Sequence, residues 1–178
     1  MRITGGAYKG RKIICPPGEI RPAMDRMRES MFAILADIEG CSWLDLFAGS
    51  GIVGIEAASR GAEPVVFVEK DIRKKHTLQR NTVFVTTSFK IMIVPALRYL
   101  SQAREAFDYI YLDPPFALGG KTNLLERIDA NLLLRPAGTA IIHAPREEEL
   151  PERIGNLGLT DRRRYGRSVL SFYRHQDS

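Results

Sequence analysis

Residues 43–54 read Trp43-Leu44-Asp45-Leu46-Phe47-Ala48-Gly49-Ser50-Gly51-Ile52-Val53-Gly54. Trp43–Phe47 has the near-continuous apolar character of a strand buried on both faces, and Ile52–Arg60 follows as a predicted helix. Gly49, Gly51 and Gly54 stand at the GxGxxG spacing between the two, the pattern of a tight strand-to-helix turn over which a nucleotide can lie. Asp45 interrupts the strand between apolar neighbours. A buried carboxylate is costly unless a cation or a hydrogen-bond donor meets it. The ammonium of a methionine moiety would suit this one, directly or through water, whereas a dinucleotide pyrophosphate would be repelled.

Outward from this stretch the theme repeats. Val65–Val68, Lys90–Val94, Tyr109–Leu112 and Thr139–His143 are predicted strands, and Ile72–Asn81, Ala96–Ala103 and Asn123–Leu134 predicted helices. Apolar strands alternating with helices mean a parallel sheet covered on both faces. Leu159–Tyr165 with Val169–Tyr173 predicts an antiparallel hairpin at its edge. Upstream, Met27, Met31, Ile34, Leu35 and Ile38 recur at helical spacing over about Met24–Ile38. Pro16-Pro17-Gly18 and Pro22 mark a stiff linker. The first fifteen residues alternate short strand-like runs with Gly5-Gly6 and Gly10, a hairpin signal. The chain thus divides into a basic hairpin and linker, residues 1–22, and an α/β domain, residues 23–178.

In such sheets ligands bind beyond the carboxyl ends of the strands, so the residues at those ends carry the functional reading. Glu69 closes the second strand twenty positions after Gly49, where an acid accepts hydrogen bonds from ribose hydroxyls. The strand Phe107–Leu112 stops at Asp113-Pro114-Pro115-Phe116. Two prolines fix φ and remove two backbone donors, leaving carbonyl acceptors at the strand end. With the Asp113 carboxylate and the flat face of Phe116 they form a holder for a planar group bearing an NH₂. An exocyclic base amine is a poor nucleophile because its lone pair is delocalised into the ring. Acceptors that orient both N–H bonds turn that lone pair toward an electrophile, and proximity supplies much of the rest. Two classes fit these residues: a methyltransferase acting on a base amine, or an NAD-dependent oxidoreductase or non-catalytic cofactor-binding module. An adenine-N6 DNA or RNA methyltransferase is a variant of the first.

The motifs Asp45–Gly51, Val68-Glu69-Lys70-Asp71 and Asp113–Phe116 resemble those of class I S-adenosylmethionine-dependent amino-methyltransferases. Met1–Gly6, Gly10-Arg11-Lys12, Arg21-Pro22, Asp25–Glu29 and Arg164-Tyr165-Gly166 resemble one family within that class, the RsmD family of 16S ribosomal RNA guanine-N2 methyltransferases. The resemblance spans nearly the whole chain. It implies a Rossmann-like, seven-stranded, mostly parallel sheet with an antiparallel C-terminal edge hairpin, and S-adenosylmethionine as cofactor. Asp45, Phe47, Ala48, Gly49, Gly51, Glu69 and Lys70 would bind the cofactor, and Asp113, Pro114, Pro115 and Phe116 would be the catalytic holder of the base. It further implies the small ribosomal subunit or its assembly intermediate as partner. A monomer is expected, and the lack of an apolar h-region after Met1 and of a cysteine framework favours a cytoplasmic location. One position departs: Pro95 stands where the family usually has an acid for the adenine amino group, so adenine recognition would rest on backbone or another side chain.

Composition and charge bound the rest. The 178 residues, 44% hydrophobic and 26% charged, correspond to about one globular domain and exclude global disorder. No apolar run approaches the ~18 residues of a membrane span. Cys15 and Cys41 stand alone, without a metal-ligand pattern. The net charge of +5 falls entirely within residues 1–28, the remainder being balanced. Arg2, Lys9, Arg11 and Lys12, extended by Arg26 and Arg28, are therefore the expected RNA-binding residues. Arg162-Arg163-Arg164 reads equally as a further RNA contact or a solvated strand end, and Glu147-Glu148-Glu149 as a solvated helix start. His76, His143 and His175 read as surface or core residues rather than catalysts, and Ser50 as part of a glycine turn.

Overall fold

A computed structural model describes residues 1–15 and 22–176 of the chain. The linker expected at Pro16-Pro17-Gly18 lies outside the described residues. Pro22, expected to close that linker, instead opens helix α1 (Pro22–Leu35), where a residue without an N–H is tolerated because the first turn leaves donors unused.

There follow β1 (Trp43–Leu46), α2 (Ile52–Ser59), β2 (Val65–Glu69), a 3-10 turn (Ile72–Lys74), α3 (Lys75–Thr82), β3 (Phe89–Ile93), α4 (Ala96–Gln102), β4 (Phe107–Leu112), α5 (Lys121–Ala130), β5 (Leu134–Pro145), β6 (Arg153–Ile154), β7 (Leu157–Tyr165) and β8 (Ser168–His175). They form one sheet in the order β3-β2-β1-β4-β5-β8-β7-β6. The first five are parallel and the last three antiparallel. The α/β fold is as expected, with two-residue β6 added beyond the seven strands. The order reverses between β1 and β4, which places the switch point, and so the cleft, above Leu46 and Leu112.

Alternation along the apolar strands sorts them onto two cores. Trp43, Val65, Phe67, Tyr111 and Ile141 face α1, α2 and α3, while Leu44, Leu46, Val66, Ile110 and Ile142 face α4 and α5. Residues 1–15 belong to the first core, since Ile3, Tyr8 and Ile13 are buried in it. Their hairpin is held by one antiparallel bridge, Arg2 to Lys12, and by Ala7 N–H donating to Ser59 O at 2.6 Å.

Two further expectations are corrected. The helix read as Asn123–Leu134 ends at Ala130: Leu132 takes a left-handed φ of 53°, Leu133 N–H caps Ile128 O, and Leu134 already starts β5. Glu147 and Glu148 lie in a turn and bend that follow β5, rather than in a helix start, and Glu148 pairs with the buried ammonium of Lys121.

Candidate active site

β1 ends in a turn that folds back over the sheet. Phe47, Gly49 and Gly51 have φ values of 66°, 55° and 80°, and Ala48, itself buried, donates its N–H to Val68 O at 3.0 Å. Glycine is required at position 51, where a Cβ would lie 2.4 Å from Leu78 Cδ1 on top of the positive φ. At Gly54 a Cβ would meet the Phe67 ring at 2.4 Å and Asp45 Oδ2 at 3.0 Å. That close approach lets Gly54 N–H donate to Asp45 Oδ2 at 2.9 Å.

Asp45 is 1% exposed. Loss of water around it, and to a lesser degree the carboxylates of Asp113 and Glu69, push its pKa up to about 8 against the one Gly54 hydrogen bond. A native state that holds a proton the unfolded chain releases near pH 4 is stabilised by it. That contribution is fully present below the ordinary carboxylate range and is lost as pH rises through about 8. Between pH 5 and 8 the unliganded protein should therefore lose up to about 1.4 kcal/mol per pH unit through this group. Asp45→Asn should flatten that slope in denaturant titrations at a series of pH values, and an identical slope in the variant would contradict the assignment.

Glu69 is buried at the end of β2. Its Oε2 accepts Gly49 N–H and its Oε1 accepts Asp71 N–H, both at 2.9 Å. Each oxygen retains a lone pair, so the residue fixes the glycine turn and can still accept from a diol. Lys70 is exposed beside it. These features fit S-adenosylmethionine. A buried acid suits its ammonium, an acceptor pair suits its ribose, and the glycine turn holds no side chain that would obstruct it. Pro95 precedes α4, and its carbonyl accepts Tyr99 N–H at 3.0 Å.

Asp113 follows β4 beside β1, its N–H donating to Leu46 O at 3.2 Å. Pro114 and Pro115 carry the chain into a turn closed by Leu118 N–H on Pro115 O at 2.8 Å. Phe116 keeps 38% of its surface exposed. The turn is tied from below by Lys121, 1% exposed, whose Nζ donates to Phe116 O at 3.0 Å, to Leu118 O at 2.7 Å, and to Glu148. A cleft lined by Met24, Met27, Arg28, Val53, Tyr111 and Asp113 opens between α1 and these strand ends. The structure thus brings Asp45, Gly49, Glu69 and Asp113–Phe116 to one edge of the sheet.

Sequence reasoning missed two residues here. His143 is no bystander: its Nδ1 lies 2.8 Å from Asp113 Oδ1 and its ring meets Phe116 edge-on at 5.1 Å. The site's other unforeseen residue is Lys121, a lysine inside an otherwise ordinary helix start.

The expected RNA-binding residues separate. Arg2, Lys9, Arg11, Lys12 and Arg26 are exposed, with Arg11 4.5 Å over the Phe84 ring. Arg28 is a correction: it is 3% exposed, with Nε 2.7 Å from Glu56 Oε2, Nη1 2.9 Å from Asp25 and Nη2 donating to Arg2 O at 2.7 Å. Three of its five N–H donors are engaged within the fold, and so buried a guanidinium offers almost no surface to a phosphate backbone. The signal was available in Glu56, a lone acid on an apolar helix that needs a buried cation. Among the described residues, no cluster of His, Cys, Asp or Glu could hold a metal ion, and no helix is long and apolar enough to cross a membrane.

Comparison with known proteins gives concordant matches. The family model described as conserved hypothetical protein 95 matches residues 1–174. YlbH of Bacillus subtilis is 36% identical over 98% of both chains. The ribosomal RNA small subunit methyltransferase D of Escherichia coli is 30% identical, over 99% of this chain and 90% of that one. The solved structure of Escherichia coli yhhF superposes with a TM-score of 0.89 at 27% identity, covering 100% of this chain and 99% of that one.

Proposed function

From the premise that the chain belongs to the RsmD family, we propose that this S-adenosylmethionine-dependent rRNA methyltransferase modifies the exocyclic N2 of a guanine in 16S ribosomal RNA. The oxidoreductase alternative falls with that membership. The observation that carries the choice of an amine is Asp113-Pro114-Pro115-Phe116 at the switch point, one strand from Asp45. The cofactor supplies an electrophilic methyl on a sulfonium sulfur. Asp45 would hold its ammonium and Glu69 its ribose hydroxyls, and Phe47, Ala48, Gly49, Gly51 and Lys70 would line its place. Asp113 and the carbonyl acceptors of the proline turn orient the two N–H bonds of the target, and Phe116 stacks on the base. A positioned amine needs no strong base, because its proton becomes acidic as the new bond forms. The protein acts in the cytoplasm as a monomer, on the small subunit or an assembly intermediate. Labelled S-adenosylmethionine offered in parallel to small subunits, free 16S rRNA and DNA, followed by nucleoside analysis, tests this. N2-methylguanosine from the RNA is expected, and N6-methyladenosine or labelled DNA would overturn the proposal.

Residues 1–22 serve in this reading as an RNA-binding arm to the methyltransferase domain, residues 23–178. The domain without its first 28 residues is charge-balanced and has no general attraction to a polyanion, whereas Arg2, Lys9, Arg11 and Lys12 are exposed together. Because Ile3, Tyr8 and Ile13 are core residues, truncation would damage the fold, and alanine substitution of the four basic residues is the sound test. It should weaken RNA binding and flatten the slope of log affinity against log salt by up to about three units, leaving S-adenosylhomocysteine binding unchanged. Equal slopes for the two proteins would reject the arm.

A further inference from the structure

We propose that His143 is a positioning residue for this reaction, holding the Asp113 carboxylate and the Phe116 ring in the attitude that receives the base. The inference rests on the function proposed above. β4 and β5 run in parallel with Leu112 opposite Ile142, so Asp113 and His143 are the next positions of adjacent strands and fall on one face. His143 is 3% exposed. Its Nδ1···Oδ1 contact of 2.8 Å and its edge-on approach to Phe116 mean that one imidazole touches both the acceptor and the stacking surface of the holder.

The hydrogen-bond inventory gives that contact a direction. A carboxylate oxygen can only accept, so the contact is made by the tautomer carrying its hydrogen on Nδ1. Nε2 is buried and has no partner among the described residues. As a bare lone pair it is tolerable there, whereas a second N–H would be a buried donor with nothing to bond. Among the described residues no hydrogen bond reaches Asp113 Oδ2, and the Asp113 side chain is 28% exposed. The imidazole therefore occupies one carboxylate oxygen and fixes the plane in which the other meets an amine. Lys121 holds the far end of the same turn through two carbonyls, so the tetrapeptide is braced at both ends.

Single-turnover methyl transfer to small subunits at saturating RNA tests the role. His143→Ala should slow the reaction by roughly 10- to 100-fold, the usual cost of removing a group that orients a reacting one, with binding of S-adenosylhomocysteine and RNA within about twofold of wild type. His143→Asn, whose side-chain amide can still donate to Oδ1, should recover most of the rate, and His143→Phe, which fills the space without a donor, should not. Asp113→Ala combined with His143→Ala should be slower than Asp113→Ala by much less than the factor His143→Ala costs in wild type, since the two act as a unit and only the Phe116 contact is left to lose. A wild-type rate in His143→Ala, equal rates for the Asn and Phe variants, or additive losses would overturn the proposal. Nitrogen NMR of histidine-labelled protein gives a readout independent of turnover. Wild type should show the Nδ1–H tautomer and Asp113→Ala should lose it; an Nε2–H tautomer in wild type would overturn the positioning contact. Wild type inactive on the RNA but showing the Nδ1–H tautomer would instead indict the proposed reaction.

Discussion

Asp113→Ala is expected to lower the single-turnover rate by about 10²–10³, equivalent to about 3–4 kcal/mol, the usual effect of deleting one preorganised electrostatic partner from a dry site. The geometry isolates the effect. Asp113 stands at the end of β4, while the residues proposed to hold the cofactor stand at the ends of β1 and β2, so S-adenosylhomocysteine should bind the variant nearly as well. The buried Nδ1 of His143 loses its partner in the same variant, adding a stability cost of about 1–3 kcal/mol, so unfolding is to be measured beside activity. Asp113→Asn, which keeps an oxygen for Nδ1 but can present an N–H to the incoming amine, separates the two effects: it should fold like wild type and remain slow. Phe116→Ala should be milder, since one stacked base contributes about 1–3 kcal/mol. Full single-turnover activity in Asp113→Ala would show that the tetrapeptide does not hold the target.

Glu56→Ala is expected to be the most destabilising of these substitutions, at about 3–5 kcal/mol. Glu56 has no exposed surface and lies 2.7 Å from Arg28 Nε and 2.9 Å from Arg60 Nη2, with Thr4 Oγ1 also on its Oε1. Removing it leaves the Arg28 guanidinium buried with Asp25, a partly exposed partner, as its remaining acid. Attraction between enclosed charges roughly offsets their desolvation, so breaking the pair costs far more than the pair contributes. Accordingly Glu56→Leu combined with Arg28→Met should recover much of the loss. Denaturant midpoints read both effects, and an unchanged midpoint in Glu56→Ala would dismiss the network. Because these contacts join residues 2, 4, 28, 56 and 60, the same substitution should loosen the seating of the N-terminal segment on α2.

Much of this molecule was legible without coordinates. The strand, glycine turn and helix over residues 43–60 announce themselves because their causes are local: an apolar run, left-handed φ values that glycine accepts, and a helical period. Glu69 and Asp113–Phe116 were legible for a related reason. In a parallel sheet every strand ends at the same edge, so residues far apart in the chain are gathered once the strands are recognised. The charge of the first fifteen residues was legible too, but not that Ile3, Tyr8 and Ile13 anchor them in the core. The end of α5 was misjudged because Leu132-Leu133-Leu134 is apolar at either period, and backbone caps decided it.

What only the tertiary structure decided is which side chains meet. Arg28 counts as one more positive charge in a basic stretch until Glu56, twenty-eight residues on, is seen beneath it. His143 is a polar residue at a strand end until the pairing of β4 with β5 sets it against Asp113, thirty residues away. The chain itself determined the elements, the cleft edge and the chemical types gathered there, because these follow from short-range sterics and periodicity. Sheet register and helix packing determined the partners, because hydrogen bonds and ion pairs depend on distances of a few ångströms that no spacing along the chain specifies.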